Sequence, residues 1–166
     1  NIADYVEKTN KIDGVGGVKV TPVWNGGGTV LLTIIASDYS VPTDTLVNKV
    51  QTLIDPTQNN GEGKGIAPIG HVVTVKGVES TPIDISLNIT YQDGWDFAAS
   101  KSYIEEAIDA YFLELSKEWD SLDNLIVRIS AIETRLLACA GVLDVANTTL
   151  NGSASNVQLD SNCIPV

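Results

Sequence analysis

The stretch of the chain that decides the fold runs from residue 18 to residue 35 and reads VKVTPVWNGGGTVLLTII. Apolar and polar residues alternate in its first part up to Trp24, as a half-buried strand requires. Its last part, from Thr29 to Ile35, is rich in β-branched residues, which favour strands. Asn25 and the glycines that follow it tolerate positive φ. The stretch therefore predicts a β-hairpin.

This hairpin is expected to open a first α+β unit. Pro22 has no N–H to donate to a ladder, so the first strand should be an edge strand or a bulged one. Apolar residues recur at helical spacing from Leu46 to Ile54, and Pro56 should end that helix. A glycine-rich loop at 59–65 then leads to a third strand over 71–78. A short helix over residues 2–8 is a weaker expectation.

A second unit is expected after a junction at residues 79–82. Strict alternation predicts a strand over 83–91, and the turn at 92–94 leads into a long amphipathic helix over 96–119. The later predicted elements are a strand over 125–129, a helix over 132–140, and strands over 142–150, 157–159 and 163–166. The predicted architecture is two small ferredoxin-like α+β domains, 1–81 and 82–166, with antiparallel sheets covered by helices. A single fused α+β domain is the alternative.

Composition narrows the classes of partner. With a net charge of −11 and a pI near 4.3, the surface should repel phosphate backbones, so we predict no nucleic-acid binding. No apolar run approaches the roughly 20 residues that span a bilayer, so we predict no membrane insertion. The acidity has two interpretations, solubility or attraction of a basic partner. The absence of methionine suggests a fragment of a longer protein.

The reactive residue types do not cluster in the sequence. His71 is the only histidine and begins an apolar strand, where a structural role is expected. Cys139 and Cys163 have no zinc-ligand spacing, and Cys139 should be a free, buried thiol. The glycine-rich loop with Lys64 lacks phosphate-loop spacing. We therefore predict that the chain is not an enzyme and has no catalytic, cofactor-binding or metal-ligating residues and no cofactor.

Three tryptophans are the remaining candidates for a functional surface. Trp24 and Trp95 adjoin glycine-bearing turns, and Trp119 lies at the end of the long helix. Packing in a core is one explanation for each, since tryptophan dominates cores and interfaces alike. Anchoring a partner is the other. The candidate partner contacts are Trp24, Trp95 and Asp93, together with the 59–65 loop.

Several segments, in this order, resemble the baseplate J-like family of phage tails. Members commonly carry a strand ending in Pro-x-Trp, a glycine-rich turn and a strand opening with Thr-Val, as residues 14–30 do. Further similar segments are Ile54-Asp55-Pro56, Ile66 to Val75, Pro82-Ile83-Asp84-Ile85 and Ala140-Gly141-Val142-Leu143-Asp144-Val145. The resemblance covers nearly the whole chain and corresponds to the middle and C-terminal part of the family, without its N-terminal region.

The resemblance implies a wedge subunit of the baseplate in contractile phage or prophage tails and related injection systems. Such a structural protein would bind other wedge subunits and itself, and the family brings no catalytic residues. The expected location is the tail baseplate of the virion, with assembly in the cytoplasm of the bacterial host.

Two alternatives to the assembly function stay open at this point. A carbohydrate- or receptor-binding module of a phage tail would use exposed aromatic side chains as stacking platforms. A hydrolase would use carboxylates such as Asp93 and Asp96, which would have to share a deep, water-poor cleft.

Overall fold

Four α-helices and nine β-strands make up the chain in a computed structural model that describes residues 1–166. The chain separates into two compact units, residues 1–79 and 80–166. The predicted α+β class is confirmed. Unit 1 contains α1 (Ile2–Asn10), β1 (Val15–Pro22), β2 (Thr29–Ala36), α2 (Asp44–Ile54) and β3 (Val72–Gly77). After β4 (Glu79–Thr81), unit 2 contains β5 (Ile85–Tyr91), α3 (Phe97–Lys117), β6 (Ile126–Val127), α4 (Ile129–Leu137), β7 (Val142–Leu150), β8 (Val157–Gln158) and β9 (Cys163–Pro165).

The predicted hairpin is present in unit 1. β1 and β2 pair antiparallel up to Pro22 and Val30. β1 is an edge strand of the order β1-β2-β3, and its register shifts between Val15 and Gly17. Pro22 therefore lies on an edge strand that is also irregular, because its missing N–H makes a central position costly.

The third strand of unit 1 corrects the expectation of a wholly antiparallel sheet. β3 pairs with β2 in parallel, with Thr29 opposite Val72 and Leu32 opposite Val75. Parallel neighbours need a crossover connection of a dozen or more residues, and the segment 37–71 with α2 supplies it. The unit 1 sheet is therefore mixed.

One face of this sheet carries the core of unit 1. Alternate residues of β2 and β3 point to the same side, where α1 and α2 cover them. The buried apolar residues of this core are Tyr5, Ile12, Val18, Val30, Leu32, Ile34, Val50, Ile54, Ala67, Val73 and Val75.

Unit 2 is built from two-stranded sheets and two helices. β5 pairs antiparallel with β7, β6 pairs antiparallel with β8, and β4 pairs with β9. Asp96 caps α3 by accepting the Ala99 N–H at 2.8 Å. Trp119, in a short 3-10 helix after α3, is fully buried and donates its Nε1–H to Ser161 O at 2.9 Å. Of the two explanations offered for Trp119, packing in a core is therefore the one observed.

α4 begins three residues earlier than the predicted 132–140. The Arg128 N–H donates to the Tyr111 hydroxyl at 2.9 Å, and the Ile129 N–H donates to Asn156 Oδ1 at 3.0 Å. These side chains, distant in sequence, satisfy donors that the start of a helix leaves without intrahelical partners. None of the four helices combines the length and the apolar character that a bilayer crossing requires.

Candidate functional site

The hairpin loop that carries Trp24 is organised by Thr29. Its Oγ1 donates to Gly26 O at 2.6 Å and accepts the Asn25 N–H at 3.0 Å. The Val23 N–H donates to Thr29 O at 2.7 Å, which holds Val23 at a φ of 55°. A β-branched residue rarely adopts positive φ, so this loop has a constrained backbone. The hairpin is therefore longer than a two-residue Asn-Gly turn.

Trp24 is partly exposed at the tip of this hairpin. Its side chain is 38% exposed, and Lys76 Nζ lies over the ring, 5.2 Å from the centroid. An ammonium at this distance is attracted by the negative face of an indole. One ring face is therefore occupied within the chain, while the remaining surface is accessible to solvent.

A buried carboxylate fastens the neighbouring 59–71 loop. Asp55, directly after α2, is 1% exposed. Its carboxylate accepts N–H groups from Gly61 at 3.1 Å, Asn60 Nδ2 at 3.0 Å and Val73 at 2.9 Å. Backbone and amide donors thus satisfy a buried charge that has no Lys or Arg partner. One side chain joins the end of α2, the loop and β3.

The side chain of Gln51, one turn before Asp55 on α2, completes this junction. Its Nε2 donates to Asp55 O at 2.7 Å and Val73 O at 2.9 Å, and its Oε1 accepts the Val75 N–H at 2.8 Å. Backbone groups on the free edge of β3 therefore bond to side chains of α2 and its C-terminal end. The 59–71 loop, which lies between α2 and β3, is therefore anchored at both of its ends.

The hairpin loop and the 59–71 loop meet at glycine. The Val72 N–H donates to Gly28 O at 2.9 Å, and a Cβ on Gly28 would lie 3.0 Å from Gly70 O. Apolar side chains are exposed on both loops and on the first residue of β3. We call these four residues the loop surface: Val23 at 64% exposure, Trp24 at 38%, Ile69 at 80% and Val72 at 40%.

The other predicted contact residues share one turn of unit 2. The Gln92 N–H donates to Gly141 O at 2.9 Å, and the Trp95 N–H donates to Gln92 O at 3.0 Å. Gly141 has a φ of 82°, and a Cβ there would lie 2.3 Å from the Trp95 ring. Trp95 is consequently half-buried against Gly141, whereas Asp93 is exposed at the tip.

His71 and the cysteines have structural surroundings. The Tyr5 hydroxyl and His71 Nδ1 lie 2.8 Å apart with the rings stacked, and burial, followed by the charge of Asp55, raises the pKa of Tyr5. Cys139 is free but half-exposed, so the expected burial is wrong, because α4 ends before it. Partial burial raises the pKa of its thiol. No group of three or more His, Cys, Asp or Glu side chains is placed to hold a metal ion.

Sequence reasoning missed the two residues that organise the 59–71 loop. In the sequence Asp55 stands out only as part of the Ile54-Asp55-Pro56 segment, and Gln51 is one polar residue of a helix. An aspartate between a helix end and a proline is a usable signal, because such a position commonly accepts nearby backbone N–H groups. Nothing in the local sequence of Gln51 marks its bonds to β3.

The chain is similar to two proteins of Bacillus subtilis (strain 168). It is 33% identical over 165 residues to the phage-like element PBSX protein XkdT and 34% identical over 165 residues to the uncharacterized protein YqbT. Each match covers 99% of this chain and 45% of the relative. The chain thus spans about half the length of these relatives.

The fold is similar to that of one chain in the cryo-EM structure of the anti-feeding prophage (AFP) baseplate. The TM-score is 0.66 at 9% sequence identity, and the match covers 100% of this chain and 37% of that chain. Residues 1–77 match the baseplate J-like central domain, and residues 83–166 match the baseplate J-like protein C-terminal domain. Since these two matches cover nearly the whole sequence in order, the chain belongs to the baseplate J-like family.

Proposed function

We propose that this chain is a structural component of a contractile-tail baseplate and that it acts by assembling with other proteins. The observation that carries the proposal is the consecutive match of both halves to the two baseplate J-like domains. A non-enzymatic role agrees with the placement of the reactive groups. The only histidine lies at hydrogen-bonding distance from Tyr5, and the Asp55 carboxylate is occupied by backbone and amide donors.

In finer terms, we propose a wedge subunit that binds other wedge subunits and further copies of itself. It would be located in the tail baseplate of the virion after assembly in the host cytoplasm. Protein partners are favoured over nucleic acid, because a net charge of −11 repels phosphate groups.

The loop surface is the contact region that we propose for unit 1. A tryptophan with exposed aliphatic neighbours is the kind of anchor that dominates binding energy at protein interfaces. Its loops are held by Thr29, Asp55 and Gln51, so little ordering is required when a partner binds. In unit 2 we propose that Asp93 is the exposed contact and that Trp95 mainly positions its turn.

This geometry favours assembly over saccharide binding. A sugar-stacking platform needs an accessible aromatic face. Lys76 lies over one face of Trp24, which leaves a single face for stacking, and the Trp95 ring lies against Gly141. Apolar contact through the accessible part of the Trp24 ring and the neighbouring aliphatic side chains is available at the loop surface.

The test is co-production of the chain with the other tail proteins of its own phage or prophage, followed by sedimentation of the complexes. We expect the chain to enter a baseplate complex. Trp24→Ala should weaken its binding by about tenfold or more, as for an interface anchor. Val23→Ala should weaken it less, and Val41→Ala, at a valine of 43% exposure outside the loop surface, is the matched control.

Two outcomes separate the surface from the function. Equal binding of the Trp24→Ala, Val23→Ala and Val41→Ala variants would remove the loop surface from the interface. Failure of the unaltered chain to associate with any tail protein would contradict the assembly function itself.

A further inference from the structure

The strand β5 leaves one edge without a partner. It spans seven residues, Ile85–Tyr91, and its only neighbour is β7. The described hydrogen bonds join no backbone group of residues 85–91 to a side chain or to a strand other than β7. Alternate N–H and C=O groups along the other edge therefore face outward unpaired.

The two outer edges of the unit 1 sheet are protected, and the free edge of β5 is not. The Gln51 and Asp55 side chains bond to the edge of β3, and β1 carries Pro22 and a register shift. In the β5–β7 pair the extra residues at both irregularities lie on β7, where Asn147 has a φ of 57°. β5 itself is regular and contains no charged residue and no proline. Protein surfaces usually avoid such an edge because it pairs with other chains.

A groove runs along this strand. Its volume is about 660 Å³, and it is lined by residues 85–89 and Tyr91 of β5 and by Phe97 and Ile104 of α3. The lining includes consecutive residues of both faces of β5, as a groove along a strand edge requires. Phe97, at 54% exposure, and Ile104 contribute an apolar wall from α3.

The apolar face of β5 is incompletely covered. Its inward residues Ile85, Leu87 and Ile89 are only half-buried, although they alternate with exposed polar residues. One more strand beside β5 would continue the sheet over Phe97 and Ile104. A seven-residue strand is about 23 Å long at roughly 3.3 Å per residue, which sets the length of segment that fits.

We propose that the free edge of β5 binds an extended segment of a different protein subunit by β-strand addition. The segment would carry apolar residues at alternate positions and basic residues around them. Main-chain hydrogen bonds would supply affinity, and the apolar groove would select the alternating side chains. This inference rests on the proposed assembly function and names the chemistry of one partner.

Charge identifies the segment as basic. Residues 80–166 contain thirteen acidic and four basic residues, a net charge of −9, whereas residues 1–79 contain eight and six, a net charge of −2. Asp84 directly precedes β5, and Asp93 and Asp96 follow it. A positively charged segment would therefore be attracted to both ends of the groove.

The same charges disfavour a second copy of this chain as the occupant. If two β5 strands paired antiparallel, Asp84 of each copy would approach the Asp93 turn of the other. Parallel pairing would bring identical aspartates together. Like charges placed opposite each other destabilise paired strands.

The test uses the 166-residue chain and a synthetic probe, a capped nine-residue peptide of alternating lysine and valine. We expect the peptide to slow hydrogen exchange of backbone amides in residues 85–91. Two forms of the peptide, N-methylated at alternate residues, each block one of its two edges. Because β-strand addition uses one edge of the incoming strand, one form should bind like the parent and the other about tenfold or more weakly.

Matched variants locate the site. Phe97→Ala should weaken peptide binding severalfold, and Leu143→Ala, at a residue of 62% exposure outside the groove, should leave it unchanged. An alternating glutamate–valine peptide should bind far more weakly than the basic one. Equal binding of both N-methylated forms would overturn strand addition, and equal binding of the acidic peptide would overturn the basic partner.

Self-pairing has its own readout. In sedimentation experiments, the chain should form no dimer that the Phe97→Ala substitution dissociates. Such a dimer would overturn the assignment of the groove to a different subunit. If the peptide fails to bind while the chain still enters a baseplate complex, the strand-edge inference is wrong and the proposed function stands.

Discussion

Replacing Asp55 with asparagine tests how the 59–71 loop is held. In the native chain one carboxylate oxygen accepts the Val73 N–H and the Asn60 amide, and the other accepts the Gly61 N–H. The asparagine amide has one oxygen, so its NH₂ group must face at least one of these donors. One charge-assisted bond worth about 1.5–3 kcal/mol is lost, and two become neutral bonds of about 0.5–1.5 kcal/mol each.

A neutral amide costs less to bury than a carboxylate, and this partly offsets the loss. We therefore expect Asp55→Asn to destabilise unit 1 by about 2 kcal/mol, and Asp55→Ala, which leaves every donor unpaired, by about 4 kcal/mol. Asp13→Asn makes the same chemical change at an exposed side chain and should change stability by less than about 0.5 kcal/mol.

The assay combines urea unfolding with hydrogen exchange at single amides, because a chain with two units need not unfold in one step. In Asp55→Asn, the protection of the Gly61 and Val73 amides against hydrogen exchange should fall more than the protection of amides in the β1–β2 hairpin. If Asp55→Asn and Asp13→Asn had equal stability, and those two amides stayed protected, the carboxylate would not be what fastens the loop.

Three further predictions follow from single contacts. Gly141→Ala should destabilise unit 2 by more than about 2 kcal/mol, because it places a side chain at positive φ and a Cβ 2.3 Å from the Trp95 ring. The measurement is the melting temperature by circular dichroism. A native-like melting temperature would show that this contact is irrelevant. Tyr5→Phe should cost about 1 kcal/mol in urea unfolding through loss of the hydroxyl bond to His71, and no loss would mean that water replaces it equally well. The raised pKa of the Cys139 thiol lowers its thiolate fraction. Its alkylation near pH 8 should therefore be slower than that of glutathione and should accelerate as pH rises. Alkylation faster than that of glutathione would contradict the raised pKa.

Local pattern predicted most elements of the fold, because burial on one face imposes a period that the sequence displays. The alternation of residues 83–91 predicts β5, and the apolar stripe from Ile104 to Leu115 predicts α3. The same pattern does not predict strand direction. The residues of β3 have the same period whether they pair parallel or antiparallel with β2, so the mixed sheet was not predictable from alternation.

The sequence singles out candidate contact residues but does not reveal their geometry. Trp24 lies beside glycines that are adjacent in sequence, but the sequence leaves both core packing and partner contact open for it, and its 38% exposure is visible only in the folded chain. Trp95 packs on Gly141, which is distant in sequence, so its half-buried state depended on a tertiary contact. The role of Asp55 likewise depends on donors that converge only in the folded chain.

The composition of residues 59–65, four polar residues or charges interspersed with glycine, is that of a pliable connector. The Asp55 carboxylate changes its mechanical character, since it ties Gly61 and Val73 to the end of a helix. Most of the entropy that such a segment loses on ordering is therefore lost when the polypeptide folds. A force applied at Ile69 would therefore be transmitted to α2 and to the sheet through these hydrogen bonds.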